Sequence, residues 1–238
     1  MNCKNCNAEV HQNYCANCGQ PVILKRIDGK YILHELEQIL NFDRGILFTI
    51  LELLIRPGEN IRTFISENRS RLVKPVIFII VTSLIYSLIN QFLHIEDGYV
   101  QFEETELSTT GIIFQWVQDH YGYANIIMGI FIAFWTKLFF RKYNYNFFEI
   151  LILLCFVMGV GMLIYSIFAI FQGLTDFDLM QIAGIVGFVY AAWAIGQFFD
   201  KSKFSNYVKA FFAYFLGFVS FSITAVLIGN IIDWIIKY

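Results

Sequence analysis

Five long apolar runs, at residues 75–93, 123–140, 150–171, 179–199 and 210–232, dominate the chain from its first third to its end. Each is close to the ~20 residues a helix needs to cross hydrocarbon, where only self-satisfied backbones such as helices can sit. A soluble domain of 238 residues does not need 57% hydrophobic and 18% aromatic residues with only 15% charged ones. The pattern predicts an all-α integral membrane protein with about five transmembrane helices. The second run is the weakest, because Lys137 shortens it, although a lysine near a helix end can reach back to the surface. Residues 111–117 read as a short lipid-touching lead-in to that run.

Ahead of the spans stand two Cys-x-x-Cys pairs, Cys3 with Cys6 and Cys15 with Cys18. Eight residues separate the pairs, which is the spacing of a small zinc knuckle, since each short loop aims two sulfurs at one tetrahedral ion. Gly19 follows where such a turn often needs positive φ, and His11 is superfluous beside four thiolates. Disulfides are the competing use of four cysteines, but they belong to oxidising compartments. The expected cofactor is structural Zn²⁺. Residues 1–30 lack a basic region followed by an apolar run, so no cleaved signal is expected.

The chain therefore divides into a zinc knuckle at 1–20, amphipathic or interfacial helices at 21–74 and a membrane domain at 75–238. In the middle part, Ile32, Leu33, Leu36, Ile39 and Leu40 share one helical face. Residues 46–55 are apolar but too short to span, and fit the interface or the underside of the membrane domain. Arg56-Pro57-Gly58-Glu59 breaks the chain, with Pro57 suited to a first helical turn and Glu59 to the positive end of the next helix. That next helix, expected from Ile61 to Lys74, is basic.

Basic residues orient the spans. Residues 1–74 hold ten Lys or Arg, residues 137–142 three and residues 201–209 three, and all sixteen fall on one side. The opposite side holds only Lys237 against nine carboxylates, among them Glu96, Glu103, Asp178 and Asp233. The positive-inside rule then puts the cysteines in the cytoplasm and the C-terminus outside, at an inner membrane. It also puts the thiols in the reducing compartment, which favours zinc over disulfides.

Candidate sites follow from residue types that are costly where they stand. Arg56, Arg62, Arg69, Arg71 and Lys74 can hold anionic lipid headgroups, each worth roughly 1 kcal/mol near the leaflet, or an acidic ligand. Ser83, Tyr86, Ser87 and Asn90 share a face of the first span and form a candidate polar path. No ionisable pair lies at mid-bilayer, which argues against a proton-coupled carrier or an intramembrane protease. Serine-triad, zinc-protease and phosphate-loop patterns are absent. Without a basic whole-chain balance, nucleic acid is not an expected partner. Cys155 reads as a small core residue.

The order of the two cysteine pairs, Cys18-Gly19-Gln20, Asp43-Arg44-Gly45, then Arg56-Pro57-Gly58-Glu59 with Arg69, Arg71, Lys74 and Pro75 before a first span, resembles one bacterial group. It looks like domain of unknown function family 3667, with motifs over residues 3–75 and only hydropathy beyond. That resemblance implies a multi-span membrane protein with a zinc-ribbon-like N-terminus and carries no activity with it. Ser66-Glu67-Asn68 departs from the glycine-containing turn the family pattern has there, which would leave the basic helix longer. Five spans with a cytoplasmic N-terminal part also look, in topology alone, like Yip1-type membrane proteins.

Three functions compete. The first is a non-catalytic bacterial inner-membrane adaptor or scaffold whose zinc module binds a cytoplasmic protein, with membrane lipids and a second copy of the chain as further partners. The second is a small oligomeric channel or transporter along the Ser83–Asn90 face. The third, a headgroup-acting enzyme built on Glu149, His34 and Glu35, has the least support, and an enzyme is not expected.

Overall fold

The computed structural model describes residues 2–3, 6, 8–9, 14–18, 45–93, 109–175 and 177–237. The amphipathic helix expected over 31–40, together with Gly19, His11, His34, Glu35, Asp43, Arg44 and the acidic residues of 96–106, lies outside them. Two compact units emerge, Met1–Leu40 and Asn41–Tyr238. In the first, an antiparallel bridge between Asn2 and Glu9 and the Cys3 N–H to Ala8 carbonyl bond of 2.9 Å close a small loop around Cys6.

The second unit is helical. Its elements are α1 (Ile46–Ile55), α2 (Pro57–Ser66), α3 (Pro75–Leu93), α4 (Thr109–Asp119), α5 (Tyr121–Phe139), a 3-10 turn (Arg141–Tyr143), α6 (Phe147–Thr175), α7 (Met180–Asp200) and α8 (Phe204–Lys237). α6 is the central helix and packs on α3, α5 and α7, while α8 closes the other side against α5 and α7. The sequence explains this placing. α6 is apolar all round its 29 residues, and such a helix belongs among neighbours.

Large apolar side chains also cover much of the outer surface of the long helices. On α3, Leu84 and Leu88 point outward at 55% and 56% exposure, whereas Thr82, Ser83 and Tyr86 are buried. A surface of this kind suits lipid and would aggregate in water. Four helices, Pro75–Leu93, Phe147–Thr175, Met180–Asp200 and Phe204–Ile235, are long and apolar enough to cross a membrane. α5 stands where the second run was expected, but its described apolar part is shorter, Tyr123–Phe139. As a 19-residue helix it still reaches about 28 Å. Lys137 in its last turn donates to the Tyr145 carbonyl, so the ammonium turns back to the helix end.

Two expectations change in detail. The basic helix does not continue to Lys74: α2 stops at Ser66, where the N–H groups of Glu67 and Asn68 both bond the Thr63 carbonyl. The Asn68 side-chain oxygen then accepts from the Ser70 N–H and hydroxyl, a local turn that competes with helix. The expected basic loop at 201–209 shrinks to a tight turn, because Asp200 accepts from the Ser202 N–H and pairs with Lys203 at 2.8 Å. Lys209 consequently rides on α8.

Candidate metal centre and bundle interior

The four thiols converge. Sγ of Cys3 lies 3.5 Å from that of Cys18, Sγ of Cys6 lies 3.5 Å from that of Cys15, and all four fall within 4.8 Å of one another. Bonds of ~2.3 Å to a tetrahedral zinc put sulfurs ~3.8 Å apart, inside that range, whereas a disulfide needs ~2.05 Å. The four N-terminal cysteines are therefore close enough to bind a metal ion. The N–H of Ala8, then the Asn17 side chain and the Cys18 thiol, lower the Cys6 thiol to about 6, so thiolate is favoured at this corner. Cys3 and Cys15 are buried while Cys18 is exposed, an arrangement that leaves one face of the cluster at the surface.

The basic residues divide into two sets. Arg62 donates from one terminal nitrogen to the carbonyls of Gln197 and Phe198, at 2.6 and 2.7 Å. These belong to the last turn of α7, whose carbonyls have no partner within their own helix, so a cation there satisfies both hydrogen bonding and the helix dipole. Arg71 pairs with Glu52 of α1 at 2.9 Å. Arg56, Arg69 and Lys74 remain exposed and available to an anionic surface.

Arg62 completes a docking motif that spacing alone did not reveal. A Cβ on Gly58 would stand 2.4 Å from the Gln197 carbonyl carbon, so α2 meets the α7 backbone at a distance only glycine allows. The Asn60 amide donates to the carbonyls of Glu52 and Arg56, closing the end of α1. Tyr190 of α7 donates to the Leu53 carbonyl at 3.0 Å and fastens the same corner. Phe64, Phe78, Phe140, Phe156 and Phe198 fill the core above it, so this end of the bundle is tightly packed.

The predicted polar face of α3 does turn inward, but unevenly. Ser83 and Tyr86 are buried, at 1% and 2% exposure, while Ser87 and Asn90 are half-buried. The Asn90 side-chain oxygen is buried with no hydrogen-bond partner among the described residues. Ser83 receives a long 3.5 Å contact from Asn125 of α5, a buried polar residue that the sequence reading passed over although it stands alone in an apolar run. Tyr86 faces a cavity of about 690 Å³, bounded by α3 to α8. Its lining runs from Met180 at the start of α7 down to Val157, Ala191 and Tyr214, where the packed core begins.

The remaining candidates have structural roles. The Glu149 carboxylate accepts from the Asn146 N–H at 2.7 Å while the Asn146 side chain accepts from the Glu149 N–H at 2.9 Å, a capping box that starts α6. Cys155 is half-buried against the main core.

No curated protein and no solved structure matches the chain. A family model described as "Protein of unknown function (DUF3667)" matches residues 43–87, a stretch that holds α1, α2 and most of α3. Within that stretch, Asn60 ties α2 to the end of α1, and Gly58 and Arg62 join α2 to the end of α7. Over that segment the chain is similar to this family of unknown function.

Proposed function

We propose that this is a non-catalytic adaptor of the bacterial inner membrane, in which a zinc-filled four-thiolate module in the cytoplasm binds a protein partner and the helical bundle holds it at the membrane. The convergence of four sulfurs within 4.8 Å carries the reading. Four thiolates close the coordination shell of zinc and leave no position for water or substrate, so the metal serves folding and recognition. Orientation rests on charge. Eleven Lys or Arg from Arg56 to Lys209 gather at the α1–α2 end of the bundle or in its adjoining turns, while Asp178 and Asp233 stand towards the other end. The positive-inside rule makes the basic end cytoplasmic. With α5 crossing as well, the C-terminus lies outside. Arg56, Arg69 and Lys74 supply the contacts to anionic lipid.

Affinity purification from crosslinked membranes tests the role. The wild-type chain should retain a cytoplasmic protein that Cys15→Ser loses, with equal amounts of both chains in the membrane; an identical set of partners for the two chains contradicts it. A channel or transporter along Ser83, Tyr86, Ser87 and Asn90 is the competing reading, supported by the inward turn of Ser83 and Tyr86 and the unsatisfied Asn90 oxygen. In liposomes it requires solute flux that Asn90→Leu reduces.

A further inference from the structure

The cavity beside Tyr86 has a chemistry of its own. None of its lining residues is charged, and none is histidine. Its polar side chains include Tyr86 and Tyr165, whose rings meet edge to face at 5.9 Å, and Asn125, which contacts Ser83 one turn from Tyr86. Apart from Tyr214 and Ser222, the rest of the lining is methionine, phenylalanine, valine and small residues, Met158, Met162 and Phe218 among them. Three glycines create the space. Side chains at Gly184 or Gly187 would only touch Tyr165, and one at Gly161 would meet nothing within 4 Å.

A volume of 690 Å³ falls within the ~300–1,000 Å³ typical of small-molecule sites. Left empty, it would forfeit dispersion contacts along its whole lining. Water is a poor filler, since it needs several polar partners and most of this wall offers none. A charged occupant would lose its hydration without gaining a counter-ion. Methionine side chains, flexible and polarisable, adapt to a hydrocarbon chain of variable shape. Phe218 belongs to the lining and is 50% exposed, so the mouth lies beside α8, on the surface that faces lipid.

We propose that this cavity binds an uncharged single-chain amphiphile, with its neutral hydrogen-bonding head at Tyr86, Asn125 and Tyr165 and its acyl or prenyl tail along Met158, Met162 and Phe218. The site is separate from the thiolate module, so Cys15→Ser should leave binding intact even if the adaptor role fails.

The test uses full-length protein in detergent and a diazirine derivative of hexadecanol as photoprobe. Crosslinks should map to peptides of α6 and α7 that contain Met158, Met162 or Gly187. Gly161→Leu fills the open space and should lower labelling about tenfold with no fall in melting temperature. Should that variant not fold, Tyr86→Phe combined with Tyr165→Phe keeps the shape and should abolish the preference for the alcohol over a hexadecane probe. Competition by unlabelled farnesol identifies a prenyl tail, and competition by unlabelled hexadecanol an acyl one. Labelling that neither competitor reduces, that both sets of variants leave unchanged, or that a diazirine palmitate at pH 8 matches, overturns the proposal.

Discussion

At the scale of single residues, α2 is held to the bundle by contact with backbone. Gly58 faces the Gln197 and Phe198 peptide, which cannot swing aside as a side chain can, so Gly58→Ala should destabilise the bundle by ~1–3 kcal/mol. A lower melting temperature in detergent would show it, and an unchanged one would mean that α2 does not dock there. Arg62 bonds two carbonyls with one guanidinium. Arg62→Met should cost roughly 1–3 kcal/mol, and Arg62→Lys should restore only part, because an ammonium is more strongly hydrated than a guanidinium and costs more to hold against these part-buried carbonyls. Melting of the three proteins side by side measures both. At the start of α6, Asn146→Ala removes the cap oxygen and should cost ~1 kcal/mol, while Glu149→Gln preserves the capping box and should melt like the parent. The thiolate cluster was legible because its geometry is local: two short loops carry their own spacing. Arg62 was not, since its acceptors lie 135 and 136 residues away and a basic helix beside a membrane is equally explained by lipid. Asn125 gave a signal, a lone amide in an apolar run, that pattern reading by helix face overlooked.

At the scale of elements, all five expected apolar helices are present, and their ends moved where local hydrogen bonds decide. α8 begins at Phe204 because the turn at Asp200 and Ser202 is tight enough to start a helix at once. α2 ends at Ser66 because Asn68 offers its own oxygen to the chain. Hydropathy reports neither effect, since it averages over windows longer than a turn. The inward direction of the α3 polar face was legible from its spacing, whereas the cavity was not, being made from glycines on α6 and α7 that meet only in the folded bundle. α5 decides the topology, since an odd number of crossings puts the two chain ends on opposite sides. A phosphatase fused after Tyr238 should be active outside the cytoplasm, and a fluorescent protein fused there should stay dark. The reverse result would mean that α5 does not cross.

At the scale of the whole molecule, the bundle is packed at one end and hollow towards the other. Aromatic rings and the docked α1–α2 pair fill the basic end, while methionine, glycine and tyrosine surround the space beside Tyr86. This division suits a body that is anchored firmly near the charged residues and exchanges an apolar ligand from the lipid side. The central claim is that the chain carries a closed four-thiolate metal site on this membrane body. Elemental analysis of full-length protein purified from membranes, with Cys15→Ser prepared in parallel, tests it most directly. The account predicts zinc in equimolar amount with the wild-type chain, little in the variant, and the same bundle melting temperature for both. Wild-type protein that carries no bound metal and shows its four N-terminal thiols joined as disulfides would contradict it.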